Sequence, residues 1–291
     1  MAQIATPLGN IGFAEAGDGD LTPLIFLHGV GSDKSAWALQ LAAFGDHRRT
    51  IALDYPGYGQ SDPASPGDGA ANDRFVDAIL AALNALKIER AHVCGLSLGG
   101  VVAIALAHRV PERIASLAIA DSFARHPDGE AILARSLAAS SDMRGLAEAR
   151  VPVLLAPDPE PALVTTLIEV MAAIDPAAFR LGSEAVWASD QQDRARAVIA
   201  PTLIMCGTDD RVTPPFLSEE LAAMIPSAKL EMIAGAGHLP NLEQCTAFNA
   251  ALGQFLTETE QFIGRHGYRQ RLAGASGEKG ELPDQDQHAV R

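Results

Sequence analysis

The sequence is short of basic residues. Its 291 residues contain 22 lysines and arginines against 36 aspartates and glutamates, which gives a formal net charge of −14 at pH 7. Proteins that bind the phosphate backbone of nucleic acids need clustered positive charge, and no lysine or arginine cluster offsets this deficit. We therefore expect no nucleic-acid partner, and we ascribe the acidity to solubility.

Cysteines are also scarce. There are three, Cys94, Cys206 and Cys245, and the first two lie inside apolar runs, where a thiol usually acts as a small buried hydrophobic group. No spacing of cysteines and histidines resembles a zinc site. We therefore expect neither a metal ion nor another cofactor.

Long apolar runs are missing as well. No run reaches the roughly 18 apolar residues that a membrane-spanning helix requires. The first residues, MAQIATP, do not combine a basic stretch with a long apolar core, as a secretory signal would. The expectation is a soluble, cytoplasmic protein without a membrane partner, and nothing in the sequence indicates its oligomeric state.

Short apolar runs alternate with helical patterns through most of the chain. Two short strands are predicted within residues 2–16, and four apolar runs typical of buried strands follow, at residues 24–27, 50–53, 92–96 and 114–120. Further strands are predicted near 201–207 and 230–233. The intervening helical patterns, near 35–44, 72–87, 98–107, 215–224 and 241–258, complete an α/β fold: a mostly parallel sheet flanked by helices.

The alternation stops between residues 122 and 200. This block shows only helical patterns, near 130–140, 162–174 and 176–189, with a proline-rich joint at 151–161. We interpret it as a helical lid inserted after the sixth predicted strand, over the sheet edge where ligands bind in open α/β folds. Residues 1–121 and 201–260 then form the core. Residues 261–291, rich in glycine and poor in apolar periodicity, are predicted to be a flexible tail.

A Gly-x-Ser-x-Gly pattern, Gly95-Leu96-Ser97-Leu98-Gly99, lies between a predicted strand and a predicted helix. So tight a turn needs small residues on both sides of the serine, because a Cβ at Gly95 or Gly99 would collide with the crossing strand and helix. The turn strains the serine backbone and exposes its hydroxyl at the carboxyl edge of the sheet. The pattern therefore predicts a nucleophile elbow at Ser97.

Later strand ends supply the groups that such a serine needs. Its hydroxyl is a poor nucleophile until a base takes its proton, and the base needs an orienting carboxylate. Of the eight histidines, His238 alone combines a strand end, a preceding glycine and a following proline. Asp209 and Asp210 follow the preceding strand, and Asp121 ends an earlier one. These aspartates are the candidates for the acid.

Five motifs in this order resemble those of the α/β-hydrolase superfamily, and the match covers roughly residues 10–258: His28–Gly31, Asp54–Ser61, Gly95–Gly100, Gly207–Asp210 and Gly237–His238. The resemblance implies Ser97 as nucleophile and His238 as base. It favours Asp210 as the acid, because the family's acid usually falls three residues after the glycine. Asp121 stands at the other position where members of the superfamily place it.

The resemblance also implies an oxyanion hole. Its two donors would be the backbone N–H groups of Leu98, directly after the nucleophile, and of Val30. His28 is then expected to make a structural hydrogen bond, and the Asp54 loop is expected to be structural as well.

Residues 175–190 and 241–244 are similar to the small-lid group that contains the 3-oxoadipate enol-lactonases. This likeness implies a serine hydrolase that cleaves carboxylic esters or lactones through an acyl-enzyme. A hydrolase of carbon–carbon bonds in aromatic ring-cleavage products uses the same triad, but that group often has Asn-Ser where this chain has Leu96-Ser97. A catalytically silent ligand receptor on the same fold is the third reading, although binding alone would not require all three triad residues.

The predicted lid carries apolar side chains at helical spacing: Leu163, Leu167, Val170 and Met171. They are expected to form part of the acyl pocket. Near the start of the lid, Arg125 and Arg135 are the basic residues that could meet a substrate carboxylate, and a solvated surface position suits each of them better. These features predict a preference for small or medium, largely apolar esters or lactones over dianionic ones.

Overall fold

The computed structural model describes residues 2–64 and 70–266, with side chains described up to residue 263. Within this part of the chain, seven strands form one sheet: β1 (Ala2–Thr6), β2 (Gly9–Leu27), β3 (Arg48–Leu53), β4 (Ala91–Leu96), β5 (Ile114–Ala120), β6 (Thr202–Gly207) and β7 (Ala228–Ile233). Their order is β1-β2-β4-β5-β6-β7, with β3 paired to β2. The predicted α/β fold with a mostly parallel sheet is confirmed.

The long strand β2 folds back along β3 and flanks it on both sides. Its first part runs antiparallel to β3, from the pair Phe13–Leu53 to the pair Ala16–Thr50. Its last part runs parallel, from Leu24–Thr50 to Leu27–Leu53, and also pairs with β4.

The sequence predicts two strands where the structure has the single element β2. Residues 17–23 stay extended because Asp20 and Leu21 pair with Arg48 as the chain turns. The helical block therefore follows the fifth strand of the structure, and placing it after a sixth strand is wrong in this count. Its position in the chain is unchanged.

Eleven α-helices lie in the described residues: α1 (Ala38–Phe44), α2 (Ala71–Ala85), α3 (Leu98–Arg109), α4 (Gly129–Ala139), α5 (Met143–Leu154), α6 (Pro161–Ala172), α7 (Pro176–Trp187), α8 (Gln192–Arg196), α9 (Pro215–Met224), α10 (Pro240–Glu243) and α11 (Cys245–His266). Strands β4, β5 and β6 are buried along their whole length. Helix α3 is buried from its first residue to Ala107, which explains its apolar composition on every side.

Residues 122–200 contain helices α4 to α8 and no strand. Helix α5 is absent from the sequence-based prediction, which has a joint from residue 151 onward. The structure continues the helix through Pro152 to Leu154. A proline removes one backbone donor, and near the end of a helix that loss breaks only one bond of the ladder.

Helix α11 extends to His266, so residues 261–266, predicted as the start of the tail, are helical. The rest of the predicted tail, residues 267–291, lies outside the described part of the chain. Among the described residues, no helix is by itself long and apolar enough to cross a membrane. Helices α6 and α7 meet the length and hydropathy criteria only as a pair, with a bend of 102° between them.

Candidate active site

Ser97 occupies the turn between β4 and α3. Its backbone has φ 55° and ψ −114°, a region that residues other than glycine rarely adopt. A Cβ on Gly95 would collide with the backbone of Gly99, and one on Gly99 would collide with the carbonyl of Leu27. The two glycines therefore permit the close crossing of β4, α3 and β2 that the elbow requires.

Neighbouring elements hold the Ser97 backbone from both sides. Its N–H donates to the carbonyl oxygen of Ala120, at the end of β5, over 2.9 Å. Its carbonyl oxygen accepts a hydrogen bond from Ser122 Oγ over 2.8 Å. These contacts stabilise a conformation that the isolated turn would not keep.

His238 and Asp210 form a buried pair. Nδ1 of His238 lies 2.8 Å from Oδ2 of Asp210, and both residues are less than 5% exposed. Thr213 completes the carboxylate's shell, since its Oγ1 donates to Oδ2 over 2.6 Å and its N–H to Oδ1 over 3.1 Å. The N–H of Val212 donates to Oδ1 over 2.7 Å. Nε2 is then the ring atom left free for a reacting group.

The surroundings of Asp210 favour its ionised form. Burial pushes the pKa of this carboxyl upward, but His238, Thr213 and the N–H of Val212 outweigh that effect, so the pKa lies below its ordinary value. A negative charge on Asp210 orients the imidazole and stabilises it when it gains a proton. The sequence analysis does not identify Thr213 as a hydrogen-bond donor to Asp210. The one signal for it in the sequence is that it lies three residues after this aspartate.

The other two candidate aspartates lie apart from His238. Asp209 is exposed, and its carboxylate accepts from Thr208 Oγ1 over 3.4 Å. Asp121 is fully buried and accepts the N–H of Gly207 over 2.8 Å. Burial, and then the charge of Asp210, raise the pKa of Asp121 well above its ordinary value. The structure thus brings Asp210, not Asp121 or Asp209, to the histidine.

Asp121, Asp210 and Cys206 could be considered as metal ligands, since one ligand atom of each lies within 4.8 Å of the others. A metal would require an ionised thiolate and an ionised Asp121. Burial raises the pKa of Cys206 as well as that of Asp121. The chemistry of this donor set favours a neutral thiol and a neutral carboxyl next to the ionised Asp210.

The loop after β2 lies against Ser97. A Cβ on Gly29 would be 3.5 Å from the Cβ of Ser97, and the next residue, Val30, lines the same cavity as the serine. His28 fixes this loop: its Nδ1 bonds the carbonyl oxygen of Gly29 over 2.8 Å, and its Nε2 receives the N–H of Tyr55 over 3.4 Å. Burial lowers the pKa of His28, so the neutral ring serves the structural function expected from the sequence.

A cavity opens at this edge of the sheet. Ser97 and His238 line one side. Leu167 and Met171, from α6, line the other, as expected for two of the four apolar residues singled out in this helix. The expected partners Leu163 and Val170 are only partly buried and are not part of the lining.

The arginine of this cavity is Arg150, on α5. The sequence instead directs attention to Arg125, whose side chain is 64% exposed and 3.9 Å from Asp190, and to Arg135, which is exposed on α4. Neither lines the cavity. Arg150 is missed because the prolines that follow it obscure the helix on which it lies.

The family described as alpha/beta hydrolase fold matches residues 22–244 of the chain. A dihydrolipoyllysine-residue acetyltransferase component of the acetoin cleaving system from Pseudomonas putida is 32% identical over 257 residues. These are 84% of this chain but only 65% of that protein. A 2-hydroxymuconate semialdehyde hydrolase from a Pseudomonas species is 30% identical over 260 residues, covering 82% of this chain and 88% of the relative.

Solved structures show the same likeness. The enol-lactonase from Burkholderia xenovorans LB400 superimposes with a TM-score of 0.82 at 29% identity, covering 88% of this chain and 100% of that one. The resemblance drawn from the five sequence motifs is therefore confirmed. The names of these relatives state different activities: one is an acetyltransferase component, one a hydrolase and one an enol-lactonase. They therefore do not identify the substrate of this chain.

Proposed function

The chain belongs to the α/β-hydrolase family, and on that premise we propose that it is a cofactor-free serine hydrolase of carboxylic esters or lactones. One observation carries the proposal: a serine in a strained elbow shares a cavity with a buried His238–Asp210 pair joined at 2.8 Å. Backbone strain at a site is maintained only where the surrounding structure enforces it, and here it holds Ser97 at the wall of the cavity that His238 also lines.

In the proposed mechanism, Ser97 Oγ attacks the carbonyl carbon while His238 Nε2 takes its proton. Asp210 holds the imidazole in the tautomer that leaves Nε2 free, and it stabilises the imidazolium that forms. The oxyanion receives hydrogen bonds from the N–H groups of Leu98 and Val30, which belong to the elbow and to the loop against it.

Collapse of the tetrahedral intermediate breaks the carbon–oxygen bond, and His238 returns the proton to the leaving oxygen. An ester then releases its alcohol. A lactone stays attached as a ring-opened acyl chain. Water, deprotonated by His238, attacks the acyl-enzyme and regenerates Ser97. These steps require no metal ion or organic cofactor, and the proposed partner is a small molecule.

Helices α4 to α8 are assigned as the lid over this site, with residues 1–121 and 201–260 as the core. The support is that α5 and α6 supply one wall of the cavity and the sheet edge supplies the other. Closing a site in this way removes water from the reacting atoms and strengthens the electrostatic interactions inside.

Hydrolysis of a carbon–carbon bond is the second candidate. It is favoured by the likeness to the 2-hydroxymuconate semialdehyde hydrolase, since the compound in that name contains no ester or lactone. A silent receptor is the weaker reading, because a binding function gives no reason to maintain strain at Ser97.

Labelling with a fluorophosphonate probe tests for an activated serine. We expect labelling of the wild type, loss of labelling in Ser97→Ala, and retention in Ser32→Ala, because Ser32 also lines the cavity but lacks a base. A panel of p-nitrophenyl esters, lactones and ring-cleavage dienones then separates the candidates. Unlabelled wild-type protein that cleaves nothing in the panel would contradict the proposed function.

A further inference from the structure

Arg150 extends from α5 into the cavity that contains Ser97 and His238. It is partly buried, and Leu154, four residues further on the same face of the helix, lines the cavity next to it. A long cationic side chain thus forms part of the wall opposite the proposed nucleophile.

This arginine has no anionic partner among the described side chains. Four other arginines of residues 122–200 each face a carboxylate, in the pairs Arg125–Asp190, Arg144–Glu169, Arg194–Asp73 and Arg196–Asp193. The guanidinium of Arg150 instead lies 5.8 Å from the centre of the Trp187 ring. Burial lowers its pKa to about 10, and the neighbouring Tyr58 acts in the opposite direction. At neutral pH the side chain therefore remains cationic.

The groups around Arg150 are also short of partners. The Tyr58 hydroxyl and the Trp187 indole nitrogen are both buried and have no hydrogen-bond partner among the described residues. Burial raises the pKa of Tyr58, so its hydroxyl keeps its proton and remains a donor. A partly buried cation without a counter-ion is unfavourable to a fold, which points to a ligand that supplies the missing negative charge.

Helix α5 is held rigidly against the catalytic loops at its C-terminal end. The backbone N–H of His238 donates to the carbonyl oxygen of Leu154 over 2.7 Å. Arg211, next to Asp210, donates to the carbonyl oxygens of Pro152 and Leu155 over 2.7 and 2.8 Å. The position of Arg150 is thereby set relative to the triad candidates, as a subsite for a reacting substrate must be.

We propose that Arg150 binds a carboxylate of the substrate, so that this hydrolase acts on small esters or lactones that carry a free carboxylate. The inference depends on the proposed hydrolase function of the same cavity. The planar guanidinium matches a carboxylate with two parallel hydrogen bonds. This proposal replaces the preference for largely apolar substrates that the sequence analysis predicts, because that prediction assumes that no basic side chain faces the pocket.

The test compares two series of methyl esters. The first contains the monomethyl esters of succinate, glutarate and adipate, and the second contains methyl alkanoates of matched length. In the wild type we expect the best carboxylate ester to exceed its neutral match at least tenfold in kcat/KM. Arg150→Met should lower kcat/KM for the carboxylate series by about 10- to 100-fold and leave the neutral series nearly unchanged. For the carboxylate series, kcat/KM of Arg150→Lys should lie between those of the wild type and Arg150→Met, because an ammonium keeps the charge but cannot form two parallel hydrogen bonds to a carboxylate.

Arg144→Met is the matched control, since it removes the same charge from the same helix at an exposed position paired with Glu169. It should leave the preference intact. Thermal unfolding gives a second measurement: Arg150→Met should melt at the wild-type temperature or above it, because an unpaired partly buried charge is lost.

The outcomes separate the two proposals. Equal rates for both series in the wild type, unchanged in Arg150→Met, would overturn the carboxylate subsite and leave the hydrolase standing. A lower melting temperature with equal losses in both series would make Arg150 structural and would also overturn it. Failure to cleave either series, together with no fluorophosphonate labelling, would instead refute the proposed function.

Discussion

The two walls of the cavity differ in how completely their polar groups are paired. At the sheet edge, Asp210 accepts four hydrogen bonds, from His238, the N–H of Val212, and the N–H and hydroxyl of Thr213. On the helical side, Arg150 has no carboxylate partner among the described residues, and the Tyr58 hydroxyl next to it accepts and donates nothing there. We call the sheet-edge wall complete, because the Asp210 carboxylate is fully hydrogen-bonded without a ligand, and the helical wall incomplete, because Arg150 and Tyr58 are not.

This difference separates two tasks. Groups that stabilise developing charge work best when they are fixed before the substrate arrives, because no reorganisation is then needed during the reaction. Groups that select the substrate must leave hydrogen-bonding capacity for it, and their unpaired state in the free protein is the expected consequence. Substitutions at the complete wall should therefore reduce turnover for every substrate, whereas substitutions at the incomplete wall should change which substrate is preferred.

The largest effect is expected at the nucleophile. Ser97→Ala should lower turnover by about 10⁶ for every ester that the wild type cleaves, since removal of a triad nucleophile eliminates the covalent route. The measurement is kcat on the best substrate of each series, with circular dichroism to show that the fold is intact. A variant that retains more than a few per cent of wild-type activity, with contamination excluded, would refute the assignment of Ser97.

The next largest effect distinguishes the three aspartates. Asp210→Asn should lower kcat by about 10⁴, because an amide next to Nδ1 favours the wrong imidazole tautomer. Asp209→Asn and Asp121→Asn serve as controls and should each reduce kcat only slightly, since neither carboxylate bonds His238. If Asp121→Asn is the crippled variant, the 2.8 Å contact between His238 and Asp210 does not represent the active arrangement.

The complete wall was largely predictable from the sequence, because its residues follow local rules. The glycines around Ser97 are required by one tight turn, and His238 and Asp210 each follow a buried strand of a parallel sheet. Those strand ends must meet at one edge. The local sequence pattern does not distinguish Asp210 from Asp121 as the acid. That choice depends on the resemblance to the α/β-hydrolase superfamily.

The incomplete wall was predicted poorly, for a physical reason. Arg150 reaches the cavity only through the packing of α5 between α6 and the loops that carry Asp210 and His238, a set of long-range contacts that periodicity does not encode. Pro152 further concealed the end of the helix. Apolar spacing did identify Leu167 and Met171, because burial of an amphipathic face leaves a signal in the sequence, whereas a lone cation facing inward leaves none.

An intermediate effect is expected where the two walls join. A Cβ on Gly237 would meet the N–H of Ala156 and the carbonyl oxygen of Leu154, both at 2.6 Å. Gly237→Ala should therefore push the His238 loop away from the end of α5. We expect a loss of about 10² in kcat/KM, typical of a displacement of about 1 Å at a catalytic group, for charged and neutral esters together.

The control for this variant is Gly253→Ala on α11, where a Cβ would be 3.5 Å from the ring of Phe44 and therefore in ordinary contact. It should keep full activity and gain some stability from the better helix former. Full activity in Gly237→Ala as well would show that the two walls are not rigidly coupled, and the comparison between them would lose its structural basis.

The smallest effect concerns Asp121, a buried acidic group that does not line the cavity and lies behind the sheet-edge wall, next to Asp210. Asp121 Oδ2 is buried without a hydrogen-bond partner among the described residues, and burial together with the charge of Asp210 raises the pKa of Asp121 well above its ordinary 3.8. The folded protein therefore holds a proton that the unfolded chain releases as the pH rises above about 4. The stability that Asp121 contributes is fully present below that pH and is lost as the pH rises toward the folded-state pKa.

Asp121→Asn imitates the protonated carboxyl and does not titrate, so its melting temperature relative to wild type should increase from pH 4 to pH 8. For a chain of this size, each kcal/mol of linkage corresponds to about 2–4 °C. Melting curves of both proteins at pH 4, 6 and 8 measure the difference, with Asp209→Asn as the exposed control. A difference that stays constant with pH would show that Asp121 is ionised in the folded protein, and the sheet edge would then contain two adjacent buried charges.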